Sequence, residues 1–468
     1  MARFIGRDEE LSALENAYQK NGFQMAVVYG RRRIGKTTLL REFCKGKSSV
    51  FYTAIKSTAA RNTELLSQAV LEQLEPSLDG TSFKSLEKIF DYLHEKSKDE
   101  RLIVVIDELP YFARRAESLV SMLQKWIDEK WQFGQMFLIL CGSSVSFMEE
   151  EVLSEKSPVF GRRTMQIRLE TFDYRQTALF VPSWSAREKA IAYGITGGVA
   201  KYVDLLDETK SIDENICELY FSKTGYLYEE ADNLLTQEFR DVDLYGRIIE
   251  AVASGANQIH EIADKVGFPS QNIVHALKNL RETGIVQKQL AITEEGNKKK
   301  TKYILADEML RFWYRFIPDA IGAIEIGKGQ IYYDRNVKPL LSDYMGPIFE
   351  KMCRQYTLYA GIIGEFACTV TQVGTWWGTN PRKREETDID VVGLDKRSKK
   401  AVIGECKFRN EPIDKSVLDA LEERRNLLHD HYTVIQLLLF SAGGFTKGIL
   451  ELQAEKAIST ISIEDMYR

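Results

Sequence analysis

Lys36 and Thr37 close the string Gly30-Arg31-Arg32-Arg33-Ile34-Gly35-Lys36-Thr37, whose two glycines ahead of a lysine and a hydroxyl have the spacing of a phosphate-binding loop. The residue types say what that loop does. Glycines let main-chain N–H groups curl around phosphates, and the helix that follows turns the positive end of its dipole toward them. Lys36 supplies a mobile charge for the β and γ phosphates and Thr37 offers a hydroxyl to Mg2+, so Gly30 through Thr38 form the nucleotide-holding set. Asp107 and Glu108 end an unbroken apolar run, Leu102 to Ile106. A carboxylate there lies at the C-terminal edge of a parallel sheet, where Asp107 holds Mg2+ through water and Glu108 polarises the attacking water. A third apolar run, Met136 to Cys141, ends in Gly142-Ser143-Ser144, and Ser143, or Ser144 beside it, is the candidate to sense the γ-phosphate or position the water, with an N-capping serine as the plain alternative. Arg162, or Arg163 beside it, is the candidate finger for phosphoryl-transfer charge, against the alternative of a solvated surface arginine.

A second constellation lies beyond residue 345. Glu350 falls on an amphipathic helix, Asp390 lies in Thr387-Asp388-Ile389-Asp390-Val391-Val392, and Glu405-Cys406-Lys407 follows the strand-like Ala401 to Gly404. Side chains alternate along a strand, so Glu405 and Lys407 share one face while Cys406 takes the other. With Asp390 (or Asp388) on the same pocket, two carboxylates, Asp390 and Glu405, can bind Mg2+ or Mn2+ while Lys407 orients water, which is what metal-assisted phosphodiester hydrolysis needs. Trp376-Trp377 and Arg382-Lys383-Arg384 lie on the approach to Asp390, a mixture suited to bases and backbone of a nucleic acid, or equally to a core and a solvated loop.

The elements that position these residues follow from the pattern. Met25 to Tyr29, the loop and the helical spacing from Thr38 to Cys44 read as strand, P-loop, helix. Tyr245 to Ala253, Gln258 to Val266 and a helix capped by Ser270 read as three helices, followed past Gly284 by a basic hairpin. That is the order of a winged helix-turn-helix, with His275, Lys278 and Arg281 outward and Lys298, Lys299, Lys300 and Lys302 on the wing. Such a unit either meets phosphate or packs between domains. Asp307 to Phe316 places aromatics at helical spacing and reads as an interdomain helix.

At 468 residues, 44% hydrophobic and 28% charged, the chain is several globular domains rather than a disordered or membrane protein. A net charge of -5 confines any nucleic-acid contact to a local basic patch. Six scattered cysteines without a CxxC pair, no signal-like start and no long apolar stretch predict a cytoplasmic protein with reduced thiols and no membrane partner.

Phe4-Ile5-Gly6-Arg7-Asp8-Glu9-Glu10, the arginine-rich P-loop, Val105-Ile106-Asp107-Glu108, Cys141-Gly142-Ser143-Ser144, Phe160-Gly161-Arg162 and Gly197-Gly198 occur in that order. Together they resemble the archaeal-type P-loop ATPases of the AAA+/STAND group over most of residues 1 to 240. The resemblance implies that Phe4, Ile5, Gly6 and Arg7 contact the adenine side and that Tyr193 to Tyr202 lie in a helical lid. Val199 departs from the proline common in relatives after the glycine pair. Residues 335 to 468 resemble the PD-(D/E)XK nuclease fold that accompanies these ATPases, Glu350, Asp390, Glu405 and Lys407 each matching a motif position, without the usual proline before the aspartate.

The expected fold is therefore an α/β multidomain protein. A P-loop NTPase parallel sheet occupies 1–170, a helical lid 171–240, a winged helix-turn-helix 241–306, a linking helical segment 307–334 and a restriction-endonuclease-like α/β domain 335–468. The expected function is ATP binding and hydrolysis coupled to DNA binding, DNA rather than RNA, and to metal-dependent cleavage, in a nucleotide-dependent homo-oligomer. The alternative is a signalling or scaffold ATPase, or a DNA-binding regulatory switch, that cuts nothing.

Overall fold

The computed structural model describes residues 4–78, 81–293, 301–381, 383–429, 431–455 and 457–468. Lys298, Lys299, Lys300 and Arg382 lie outside the described residues. The chain divides into two compact units, one of residues 1–172 and 199–204, the other of 173–198 and 205–468. The division cuts the expected lid: its first helices belong with the C-terminal half, and Val199–Asp204 with the P-loop.

In the first unit β1 (Gln24–Tyr29), β2 (Ser49–Thr53), β3 (Leu102–Asp107), β4 (Met136–Gly142) and β5 (Met165–Arg168) form one parallel sheet in the order β2-β3-β4-β1-β5. The three central strands are buried along their whole length, which is why they read as continuous apolar runs rather than alternating ones. Their side chains still sort with period two. Val27, Val104 and Leu138 join one core with the helices Ala59–Leu74, Leu86–Lys96 and Leu119–Glu129. Val28, Val105 and Phe137 join the other with Asp8–Tyr18 and the P-loop helix Lys36–Cys44. β2 is an edge strand. There the Gln73 side chain accepts a hydrogen bond from the Phe51 N–H at 2.9 Å and donates to the Phe51 carbonyl at 3.3 Å, mimicking a neighbouring strand.

In the second unit the helices Val242–Ala253, Ile259–Val266 and Ser270–Glu282 precede an antiparallel hairpin of β6 (Val286–Leu290) and β7 (Thr301–Leu305), the winged helix-turn-helix order. The third helix starts on Ser270 itself, with Pro269 rather than the serine in the capping position. The Ile292 N–H donates to the Thr375 carbonyl at 2.9 Å, the Gln289 amide donates to the Thr375 hydroxyl at 3.1 Å, and the Lys302 ammonium sits 4.6 Å from the centre of the Trp377 ring. The wing is thus fixed to the domain that follows it. On the third helix His275, Lys278 and Arg281 are exposed.

That following domain is a mixed sheet of β8 (Gln372–Asn380), β9 (Glu385–Asp395), β10 (Lys400–Lys407), β11 (Thr433–Ser441) and β12 (Ile458–Ser462). It runs in the order β12-β11-β10-β9-β8, antiparallel from β8 through β10 and parallel from β10 through β12. The long helix Leu341–Ile362 lies against β8, β9 and β10. Toward its N-terminal end it packs on the helix Ala186–Thr196: a side chain at Gly194 would meet the Met345 sulfur at 2.5 Å. The Tyr344 hydroxyl lies 2.8 Å from the Gly194 carbonyl and 3.0 Å from that of Glu308. Among the described residues no helix is long and apolar enough to cross a membrane, and all six cysteines are free thiols.

Candidate active sites: a P-loop and a carboxylate cluster

The loop between β1 and its helix turns through positive φ at Gly30 (146°), Arg33 (66°) and Gly35 (91°), the kind of path that points successive N–H groups into one concavity. Lys36 is buried, and its ammonium donates to the carbonyls of Gly30 at 2.9 Å and Arg31 at 2.8 Å. Burial lowers its pKa, opposed by Cys141, Glu108 and Asp107. The Thr37 hydroxyl donates to Asp107 Oδ2 at 2.8 Å, so the two oxygens expected to share a cation already share a proton. Glu108 follows with a left-handed φ of 52°, a strained conformation for a residue with a side chain. Its carboxylate accepts from the Ser143 hydroxyl, which lies 2.8 and 2.7 Å from its two oxygens. Ser143, the candidate sensor, thus touches the glutamate.

Two neighbours of the loop carry no motif. The Arg32 guanidinium donates to the Tyr111 hydroxyl at 2.7 Å. Val199–Asp204 packs on the loop: the Lys201 N–H donates to the Arg33 carbonyl at 3.0 Å and Arg33 Nη1 to the Tyr202 hydroxyl at 3.2 Å. Arg7 is buried over the Phe172 ring and donates to the carbonyls of Ile34 at 3.2 Å and Glu170 at 2.6 Å, so it straps the loop to the end of β5. Gly6 has a positive φ of 74° and lies against that same phenylalanine; Phe4 and Ile5 precede it, half-buried. Arg162 forms a bidentate pair with Asp128, both contacts 2.6 Å, and donates to the carbonyls of Pro158 and Phe160. Within this chain its guanidinium is committed there.

In the second unit the four motif residues come together from three elements: Glu350 from the long helix, Asp390 from β9, Glu405 and Lys407 from β10. Asp390 Oδ2 accepts from the Cys406 N–H at 2.9 Å. Glu405 is buried, with Oε1 accepting from the Lys407 ammonium at 2.8 Å and Oε2 from Arg424 Nη1 at 2.6 Å. Arg354, one turn along from Glu350, reaches that carboxylate at 3.4 Å and donates to the Asp390 carbonyl at 2.9 Å. Asp388, the alternative ligand, has its carboxylate near enough to Glu350 to raise that group. Among the described residues no group of three or more His, Cys, Asp or Glu side chains is arranged to hold a metal ion. Here the arrangement differs from the expectation of a cation shared by Asp390 and Glu405: two side-chain cations take both oxygens of Glu405. Arg424 was missed because it lies seventeen positions beyond Lys407 and returns only through the helix Lys415–Arg424, at no spacing a motif could register.

The Asp390 carboxyl is pushed up to about 8, first by burial and then by Glu350 and Glu405. Burial likewise raises Glu350, opposed by Arg354. Between about pH 4 and pH 8 the folded chain holds a proton on Asp390 that the unfolded chain has lost, so unfolding releases it. Stability from this group is therefore full at low pH and drains as pH rises toward 8, by up to about 1.4 kcal/mol per unit. Asp390→Asn should flatten that decline, read by comparing thermal melts of both proteins at about pH 5 and pH 8. Parallel curves would remove the buried proton.

Residues 4–206 match the family described as an ATPase domain predominantly from Archaea, and residues 313–423 match one described as Archaea bacterial proteins of unknown function. The uncharacterized protein MJECL04 of Methanocaldococcus jannaschii is 30% identical over 416 residues, 87% of this chain and 88% of that one. The uncharacterized ATP-binding protein MJ0423 of the same organism is 43% identical over 44 residues, 9% of this chain and 75% of its own. Among solved structures, the Walker-type ATPase paby2304 of Pyrococcus abyssi covers 67% of this chain and 96% of itself at 18% identity and a TM-score of 0.49. The ORC2 protein of Aeropyrum pernix covers 70% and 96% at 15% identity and a TM-score of 0.46. The ATPase domain carries ATP binding and ATPase activity with it. With a relative matched along nearly its whole length and both domains in place, the chain belongs to the archaeal-type P-loop ATPases that carry this C-terminal domain of unknown function.

Proposed function

We propose that this ATPase acts on nucleic acid, DNA before RNA, and that its nucleotide state governs phosphodiester cleavage by the C-terminal domain. The observation that carries the second half is the convergence of Glu350 and Glu405 on the buried Asp390, both close enough to raise it beyond what burial does, with Lys407 on Glu405. In the cleavage a water oxygen bonds to phosphorus, the phosphorus–oxygen bond to the sugar breaks, and the leaving oxygen takes a proton from solvent. A buried carboxylate near its pKa can accept the proton of the water, and Lys407 balances the developing charge. Purified protein should cut DNA in the presence of Mg2+ or Mn2+, and Lys407→Ala should abolish cutting while ATP binding persists. Wild type that cuts no DNA or RNA under any nucleotide condition sinks this reading.

At the P-loop, Lys36 would meet the β and γ phosphates, and Arg7 would fix the loop near the adenine side. Thr37 and Asp107, two oxygen donors 2.8 Å apart beside that lysine, suit Mg2+, which would supply charge neutralisation for the triphosphate. Glu108 would polarise the attacking water, and Ser143 would position Glu108. Ser143→Ala should then lower kcat by about tenfold and leave KM for ATP unchanged, since the hydroxyl touches the base rather than the nucleotide. A raised KM at unchanged kcat would assign the serine to the phosphate instead.

We assign 1–170 to nucleotide chemistry, 171–240 and 307–334 to transmission, 241–306 to duplex contact through the exposed His275, Lys278 and Arg281, and 335–468 to cleavage. Self-assembly would bring the finger, Arg162 or Arg163, to a neighbouring copy, making ATP hydrolysis depend steeply on protein concentration. The docked wing favours a second reading, a module that binds without cutting, because Lys302 is stacked on Trp377 and the hairpin is held by Thr375. Salt-dependent duplex binding without cleavage would select it.

A further inference from the structure

We propose that Arg424 is a latch on the carboxylate cluster: it occupies the Glu405 oxygen that a divalent cation would need, and a polyanion that takes its guanidinium opens the site. The inference rests on reading this cluster as a phosphodiester-cleaving site.

Arg424 is the last residue of its helix, and Nη1 lies 2.6 Å from Glu405 Oε2. Lys407 covers the other oxygen from the same strand, two residues on. Arg424 comes from a separate element, at the end of a helix, on a long side chain that can swing away without disturbing β10. Its neighbour Glu423 pairs with Lys383, at 2.6 Å, from the turn between β8 and β9, so two carboxylate–cation pairs hold this helix end. The Lys383–Glu423 pair is half exposed, at 51% and 57%, whereas the Glu405 side chain is only 10% exposed and that of Arg424 23%. Lys383 is thus open to a phosphate backbone, and Arg424 is the next residue after its partner Glu423 on the same helix end.

Phosphate offers a guanidinium the same two-oxygen partner that a carboxylate does. Transfer of Arg424 to phosphate would leave Glu405 buried with one oxygen uncompensated, a charge that a divalent cation restores. Polyanion and cation would then strengthen each other, and by linkage the effect is reciprocal.

Mn2+ titration of the nucleotide-free full chain, followed by the electron paramagnetic resonance of the free ion, tests this. Arg424→Gln should bind Mn2+ about tenfold to a hundredfold tighter than wild type, the worth of one charge-assisted hydrogen bond, and Arg424→Lys should fall between. Adding Glu405→Gln to Arg424→Gln should cancel the gain. A single-stranded DNA oligonucleotide should raise the Mn2+ affinity of wild type and not that of Arg424→Gln. If Arg424→Gln and wild type bind Mn2+ equally, in a manner that Glu405→Gln removes, the latch is wrong and the cluster remains a metal site. If neither shows binding that depends on Glu405, latch and cleavage site fall together. An equal DNA effect in both proteins would also overturn the latch.

Discussion

Lys36→Ala should hydrolyse ATP at least about a hundredfold more slowly than wild type while remaining folded, because it removes a fixed positive group from the place where phosphoryl-transfer charge develops. The structure adds a second expectation. The Lys36 ammonium is buried against two carbonyls, Gly30 and Arg31, and burial lowers its pKa, so holding the charge there is costly unless an anion meets it. Lys36→Met, which fills the same space without the charge, should therefore melt no lower than wild type in the absence of nucleotide. Steady-state phosphate release and thermal melting read the two halves separately. Near-normal turnover in Lys36→Ala would remove the P-loop from the chemistry.

The second large effect is expected at Gly30, which sits at φ 146° where β1 enters the loop. A Cβ there would lie 2.3 Å from the Leu169 carbonyl and 2.7 Å from Ile34 Cδ1. Neither can step aside freely, since the Leu169 N–H donates to the Tyr29 carbonyl at 2.7 Å and Ile34 is buried in the core beneath the loop. Gly30→Ala should lower stability by about 2–4 kcal/mol, combining backbone strain with overpacking. It should also weaken ATP binding, because relief of either contact reshapes the main chain that meets phosphate. Gly22→Ala is the matched control: its φ of 79° is also positive, yet nothing lies within 4 Å of the added carbon, so only the conformational cost of about 1 kcal/mol remains. Denaturant melts and nucleotide titrations of the two variants, side by side, separate clash from strain. Equal losses would mean that the Leu169 contact yields easily.

What could be read from the sequence was local. The P-loop, the run ending in Asp107 and the run ending in Ser143 each compress strand, edge and polar group into a few consecutive residues, and the sheet puts those ends side by side. The carboxylate set was legible for the same reason, since Glu405 and Lys407 are two apart on one strand. What was not legible depends on chain return over long distances. Arg424 meets Glu405 only because a helix folds back, and Arg7 meets Ile34 only because the first helix starts beside β5. Lys351 of the long helix pairs with Glu308 at 3.1 Å and contributes, with Tyr193, to a buried polar knot that no spacing announces. The wing reads as a basic hairpin in the sequence, and its backbone bond to Thr375 is invisible there because Thr375 looks like any strand residue. The lid is one piece only as the resemblance to the archaeal ATPases implies it. The glycine pair at 197 and 198, both at positive φ, is where the chain passes from one unit to the other.

The amide of Gln73 has a bearing on how copies of this ATPase can meet. By satisfying both main-chain groups of Phe51 at the centre of the β2 margin, it denies a second molecule the foothold it would need to prolong the sheet across a boundary. Any assembly of copies that used that side of the molecule would have to be built from side-chain surfaces rather than from continuous cross-chain strands.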